Sequence, residues 1–266
     1  MMSHYHQKNK KSNGFKKFHI CFWVVPLMVL LVITKFFIHR FNLEFVAVSP
    51  LFTSTMAGAI FIISILLAGI LADFKEAEKF PAEIRATLEN ILEEATLFHQ
   101  RNNDFDIKKI HTDIRKIVQL FFKGIDHEGN HHDLGPCLRS INELASSFAA
   151  MEQLGMPPNF LVRLKTEQGT LRKIILRIYQ IQRTQFIPSV HILAESLIGF
   201  LTLFLLFLKT EGSPESFILF GFIAYFFLYI GRLIRVLEKP FREGHETMDD
   251  VSLFLLREMN SSDNAY

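Results

Sequence analysis

The chain has 266 residues, 49% of them hydrophobic, and a formal net charge of +2. So small a charge excludes a strongly basic nucleic-acid binder. The apolar residues, rich in Leu and with 28 Phe, are clumped rather than spread at the period of a soluble helix or strand, which points to a protein partly solvated by lipid.

The first 17 residues hold Lys8, Lys10, Lys11, Lys16 and Lys17 and no acidic residue. An uncharged run from Ile20 to Thr34 follows, and its flanks extend it to Phe18–Ile38, enough for the roughly 20 helical residues that a bilayer core requires. The segment after it, Lys35-Phe-Phe-Ile-His-Arg40, has no small-x-small cleavage pattern, so the run reads as a retained anchor. Cys21 in this run and Cys137 in the polar middle form no CxxC pair, and each reads as a lone thiol.

The second run has no charge between Glu44 and Asp73, and Pro50 is expected to open its helix. Its interior carries Ser54, Ala57, Gly58, Ala59, Ser64, Ala68 and Gly69, the small residues that let helices approach closely in lipid.

Residues 73–183 read as helical throughout. Ala77, Pro81, Ile84, Leu88, Ile91, Ala95 and Phe98 recur at steps of four and three, with Pro81 expected to kink or restart the helix. A second amphipathic helix is expected over Asp106–Phe122 and a third over Leu138–Leu154. After Pro157 and Pro158 comes a fourth, carrying Leu161, Leu164, Leu171, Ile174, Ile178 and Ile181. Between the second and third lies Asp126-His-Glu-Gly-Asn-His-His-Asp133. It has metal-binding residue types but no ligand pair at helical spacing, so it reads as a solvated loop.

The third and fourth apolar runs, Phe186–Leu208 and Ser216–Ile230, are joined by Lys209-Thr-Glu-Gly-Ser-Pro-Glu215 and must be antiparallel neighbours. His191 and Glu195 are four apart, on one face of the third run. Either they lie at membrane depth, facing protein or water, or the span begins near Ile192 and leaves them among headgroups.

Four spans place both termini on one side. The lysine-rich tail and Arg232, Arg235, Lys239 and Arg242 after the fourth run assign that side to the cytoplasm. The expected architecture is all-α: a basic cytoplasmic tail (1–17), transmembrane helices 1 and 2 (18–72), a cytoplasmic helical domain (73–183), transmembrane helices 3 and 4 (184–231) and a cytoplasmic C-terminal segment (232–266). No nucleotide-binding glycine loop, nucleophile triad or zinc-protease motif appears, so the chain is read as a non-enzyme with no metal or other cofactor.

Two stretches resemble the bestrophin family, particularly its bacterial members. One is the exit of the second run, Ala72-Asp-Phe-Lys-Glu-Ala-Glu-Lys-Phe-Pro81. The other follows the fourth run, Glu238-Lys-Pro240-Phe241-Arg-Glu243, and is similar to that family's acidic-Asn-Pro-Phe-Gly-acidic stretch. Lys239 and Arg242 depart from that pattern. Of the continuous acidic run that binds calcium in animal members, only Glu246, Asp249 and Asp250 stand nearby.

The resemblance implies a pentameric ion channel of the bacterial inner membrane, in contact with lipid and inorganic ions; such channels usually conduct anions such as chloride, though bacterial relatives can prefer cations. Five copies of the second span would line its pore. If Pro81 matches the family's proline, the apolar neck falls on Met56, Ile60 and Ser64. A shift of two residues moves it to Ser54, Gly58 and Ile62, and the first register places two bulky apolar side chains there. The competing reading is a non-conducting membrane sensor or scaffold whose helical domain binds a partner.

Overall fold

The computed structural model describes residues 18–125, 133–183, 188–238, 240–241 and 249–262. The basic tail and the Asp126–His132 part of the polar cluster lie outside the described residues, as do Lys239, Arg242 and Glu246. The described residues form nine helices: α1 (His19–Arg40), α2 (Pro50–Ala77), α3 (Phe80–Arg101), α4 (Ile107–Ile125), α5 (Gly135–Gln153), α6 (Pro158–Arg183), α7 (Pro188–Leu206), α8 (Pro214–Leu237) and α9 (Phe254–Ser262). Among the described residues the extended pairing is confined to one parallel bridge, Val46 with Leu208. The all-α expectation therefore holds.

Two compact units divide the chain. The first comprises residues 1–74, 185–240 and 244–250, and the second 75–184, 241–243 and 251–266.

In the first unit α1, α2 and α8 are each long and apolar enough to cross a bilayer. The apolar part of α7, His191–Leu206, is shorter. Ala59, Ile63 and Ile70 of α2 share one buried cluster with Ala194, Ile198, Leu201 and Leu205 of α7 and Phe220, Ala224 and Phe227 of α8. α1 packs along α8, where Ile20 and Val24 meet Val236. Gly221 keeps that contact close, since a Cβ there would stand 3.3 Å from Val32. Small residues at such crossings let dispersion hold helices together where burial gives no advantage over lipid.

The second unit is a ring of four helices in which α3 packs on α4, α4 on α5, α5 on α6 and α6 on α3. The stripe expected from the sequence is its seam: Ala77, Pro81, Ile84, Leu88, Ile91, Ala95 and Phe98 are all buried. Pro81 does restart the helix. α2 ends at Ala77 and α3 begins at Phe80, with the proline in the first turn, where its missing N–H costs nothing. Cys137 is buried and its Sγ points at the Ile117 carbonyl (3.6 Å); burial pushes the thiol up to about 12. The C-terminal segment lies on α3 and α4 and buries Val251, Leu253, Leu256 and Met259. The Arg85 guanidinium reaches Glu89 (2.7 Å) and Glu258 (3.3 Å).

Candidate functional site

α2 is an uncharged helix with two unlike sides. One side is a seam: Ala59, Ile63 and Ile70 are buried, and Met56, Leu66, Leu67 and Phe74 pack half-buried against the same cluster. The other side is open. Phe61 is 66% exposed and Ile65 55%, while Ile60 and Ile62 are both 39% exposed. Ser54, Gly58, Ser64, Ala68 and Ala72 are exposed as well. The hydroxyls turn back on the helix, with Ser64 Oγ donating to the Ile60 carbonyl (2.8 Å) and Ser54 Oγ to that of Leu51 (3.0 Å).

The three neck candidates therefore differ. Met56 packs against its own protomer's core, whereas Ile60 and Ser64 are open. All three residues of the alternative register, Ser54, Gly58 and Ile62, are open too.

Polar networks close the two ends of this unit. At the end formed by the α1–α2 and α7–α8 connections, Lys35 is fully buried. Its Nζ donates to Glu44 Oε1 (2.6 Å), to the Leu206 carbonyl (3.1 Å) and to the Leu208 carbonyl, so its three donors have three acceptors. Glu44 also accepts from the Thr210 amide (3.1 Å) and hydroxyl (2.9 Å) and contacts His39 Nδ1 (3.1 Å). Burial alone would push the Glu44 carboxyl up. The Lys35 ammonium, the Thr210 amide, His39 and the Thr210 hydroxyl together outweigh it and hold the carboxyl at about 2. Gly212 (φ +73°) turns the chain beside this network, where a Cβ would run into the His39 ring.

At the opposite end His191 Nδ1 lies 2.8 Å from Glu238 Oε1, and its Nε2 lies 3.1 Å from Glu195 Oε1. Arg235 Nε donates to Glu195 (2.6 Å). The sequence pairs His191 with Glu195 by spacing and places Glu238 in a separate motif; the structure brings all three together. Of the remaining motif residues, Pro240 is buried in the first unit and Phe241 in the second. The Lys35–Glu44 tie escapes sequence reading, where Lys35 merely opens the segment after the uncharged run. Its one signal is that Glu44 is the sole ionisable residue between Arg40 and Asp73.

No family model matches the chain, and no curated protein matches it significantly. Solved structures do. A point variant of a bacterial bestrophin homologue from Klebsiella pneumoniae superposes with a TM-score of 0.72 at 12% identity, over 92% of this chain and 97% of that one. A second variant of the homologue gives 0.74 at 13% identity over 92% and 97%. A crystal structure described as a membrane protein gives 0.75 at 12% identity over 91% and 97%. Nine-tenths of the chain thus has the fold of the bacterial bestrophin homologues.

Proposed function

We propose that this chain is one subunit of a bestrophin-like ion channel of the bacterial inner membrane, assembled as a pentamer and conducting anions such as chloride. The observation that carries the reading is the match in fold to bacterial bestrophin homologues over more than 90% of both chains. In this reading α1, α2, α7 and α8 are the four spans, with the second unit and both termini in the cytoplasm. The 16 residues His191–Leu206 are about 24 Å long as a helix, short of a hydrocarbon core of about 30 Å. The flanking Pro188–Val190 and Phe207–Leu208 complete that span.

The pore neck is assigned to α2. Its exposed face mixes hydroxyls and small residues with Leu51, Phe61 and Ile65, whereas that of α1 carries Phe22, Leu27, Leu30, Ile33 and Phe37, a surface suited to acyl chains. Of the row Met56–Ile60–Ser64, the open side chains Ile60 and Ser64 favour a place along the ion path. An uncharged neck would gate by dewetting rather than by a charged ring. The chemistry is transport, and no residue is assigned a catalytic role.

The decisive measurement is the symmetry of the purified particle together with chloride flux in proteoliposomes. A ring with flux above background is expected. A monomer or dimer with background flux would favour the scaffold reading. Reporters fused at Met1 and Tyr266 should read cytoplasmic and one at Gly212 external; a cytoplasmic signal at Gly212 would overturn the four-span topology.

A further inference from the structure

The last turns of α8 carry two arginines in unlike settings. Arg235 donates to Glu195 (2.6 Å). Arg232 has no carboxylate partner among the described residues. Its half-buried guanidinium lies against α1 instead, with Cζ 5.7 Å from the centroid of the Trp23 ring, and its Nε is covered without an acceptor. A guanidinium carries five N–H donors in a planar fork, and the face of an aromatic ring attracts its charge without neutralising it. The same face of α1 holds a second unanswered group. His19, one turn before Trp23, has a covered Nδ1 with no partner. Trp23 itself is 64% exposed and brings an indole N–H donor.

We propose that Arg232 and Trp23 hold the phosphate group of an anionic phospholipid where α1 and α8 meet, in the leaflet at the His191 end. Position, charge and geometry each support it. Arg232 follows the apolar run Ser216–Ile230 by two residues, and Trp23 sits in the second turn of α1. In the four-span reading both therefore lie at headgroup depth, where tryptophan settles and arginine extends its charge. A cation left unneutralised between two spans on the cytoplasmic side calls for an anion, and the headgroups there supply it. The planar fork matches phosphate oxygens two at a time, which an ammonium cannot do. A zwitterionic phospholipid carries the same phosphate but brings its own cation to it, so the site selects by net charge. The proposal rests on α1 and α8 being spans and is independent of whether the chain conducts.

Trp23 is the only tryptophan of the chain, so its fluorescence reports on this place alone. The full chain is reconstituted in vesicles that mix phosphatidylglycerol with phosphatidylcholine, with bromine on the acyl chains of one lipid or the other. Bromine quenches an indole it touches, and the two quenching curves give the relative affinity at Trp23. One arginine at the surface of an anionic membrane is worth about fivefold, so the parent should favour phosphatidylglycerol by about that factor. Arg232→Gln should abolish the preference, and Arg232→Lys, which keeps the charge without the fork, should retain part of it. Arg235→Gln removes the same charge from the same end and should leave the preference as it is. No preference in the parent, a preference that survives Arg232→Gln, or an equal loss in Arg235→Gln would overturn the proposal. Inorganic phosphate, the same group without a lipid, is titrated onto the protein in detergent and should leave Trp23 emission unchanged. A saturable response that Arg232→Gln removes, with no preference between the lipids, would overturn the lipid assignment. Absence of quenching by either brominated lipid would instead overturn the reading of α1 as a span.

Discussion

The two polar ends of the membrane unit are built on opposite principles. At the connection end a fully buried ammonium meets a carboxylate, the last carbonyl of α7 and the Leu208 carbonyl just beyond it, with every donor matched. At the other end His191, Glu195, Arg235 and Glu238 form a chain of pairs whose side chains keep partial access to solvent. In lipid an unmatched backbone carbonyl has no water to turn to, so the end of α7 needs an outside donor, and α1 supplies it. The Val46–Leu208 bridge adds a second tie there. The connection end is therefore fixed in one geometry. Rearrangement of the helices is easier at the His191 end, where a broken pair can be rehydrated.

The comparison breaks most sharply at Lys35. Lys35→Met leaves Glu44 and two carbonyls without their shared donor, and stripping one partner from a buried pair costs roughly 3–5 kcal/mol. Thermal unfolding in detergent should register that as a large loss of stability, and a loss as small as that of a surface pair would refute the locked-end description. The pH response of the same end is next. The folded Glu44 pKa of about 2 lies below its ordinary 4.5, so the stabilisation is complete above about 4.5 and fades as pH falls towards about 2. Melting curves between pH 7 and pH 5 should show no loss traceable to Glu44: the stability difference between the parent and Glu44→Gln should stay constant over that range and shrink as pH falls below about 4.5. The smallest effect is expected at the other end. Glu195→Gln removes the Arg235 pair, whose partners are 38% and 54% exposed, and should cost less than about 1 kcal/mol. A cost rivalling that of Lys35→Met would erase the distinction between the ends.

Most of the helical layout is legible in the sequence because lipid and bundle packing write simple periods. The heptad Ala77–Phe98 is a continuous buried seam, and Pro81 opens α3 where the chain could not have continued α2 unbroken. The networks are not legible in this way. Glu238 meets His191 across 47 residues, and Lys35 meets the end of α7 across more than 170, and no local pattern encodes a pairing at such range. The facing of α2 is not legible for a different reason. A helix apolar on every side carries no period, so only its neighbours reveal that Met56 faces inward and Phe61 outward.

The Lys35 tie also sets an order of assembly. Its acceptors on Leu206 and Leu208 lie 171 and 173 residues downstream, and the 110 residues 75–184 of the second unit are made in between. At ribosomal speeds of about 5–20 residues per second, Lys35 spends roughly ten to thirty seconds in the nascent chain before those carbonyls exist. Glu44, nine residues away, is its one early companion. The helical bundle can therefore fold while the membrane unit is still half built, and the arrival of α7 is the event that closes it.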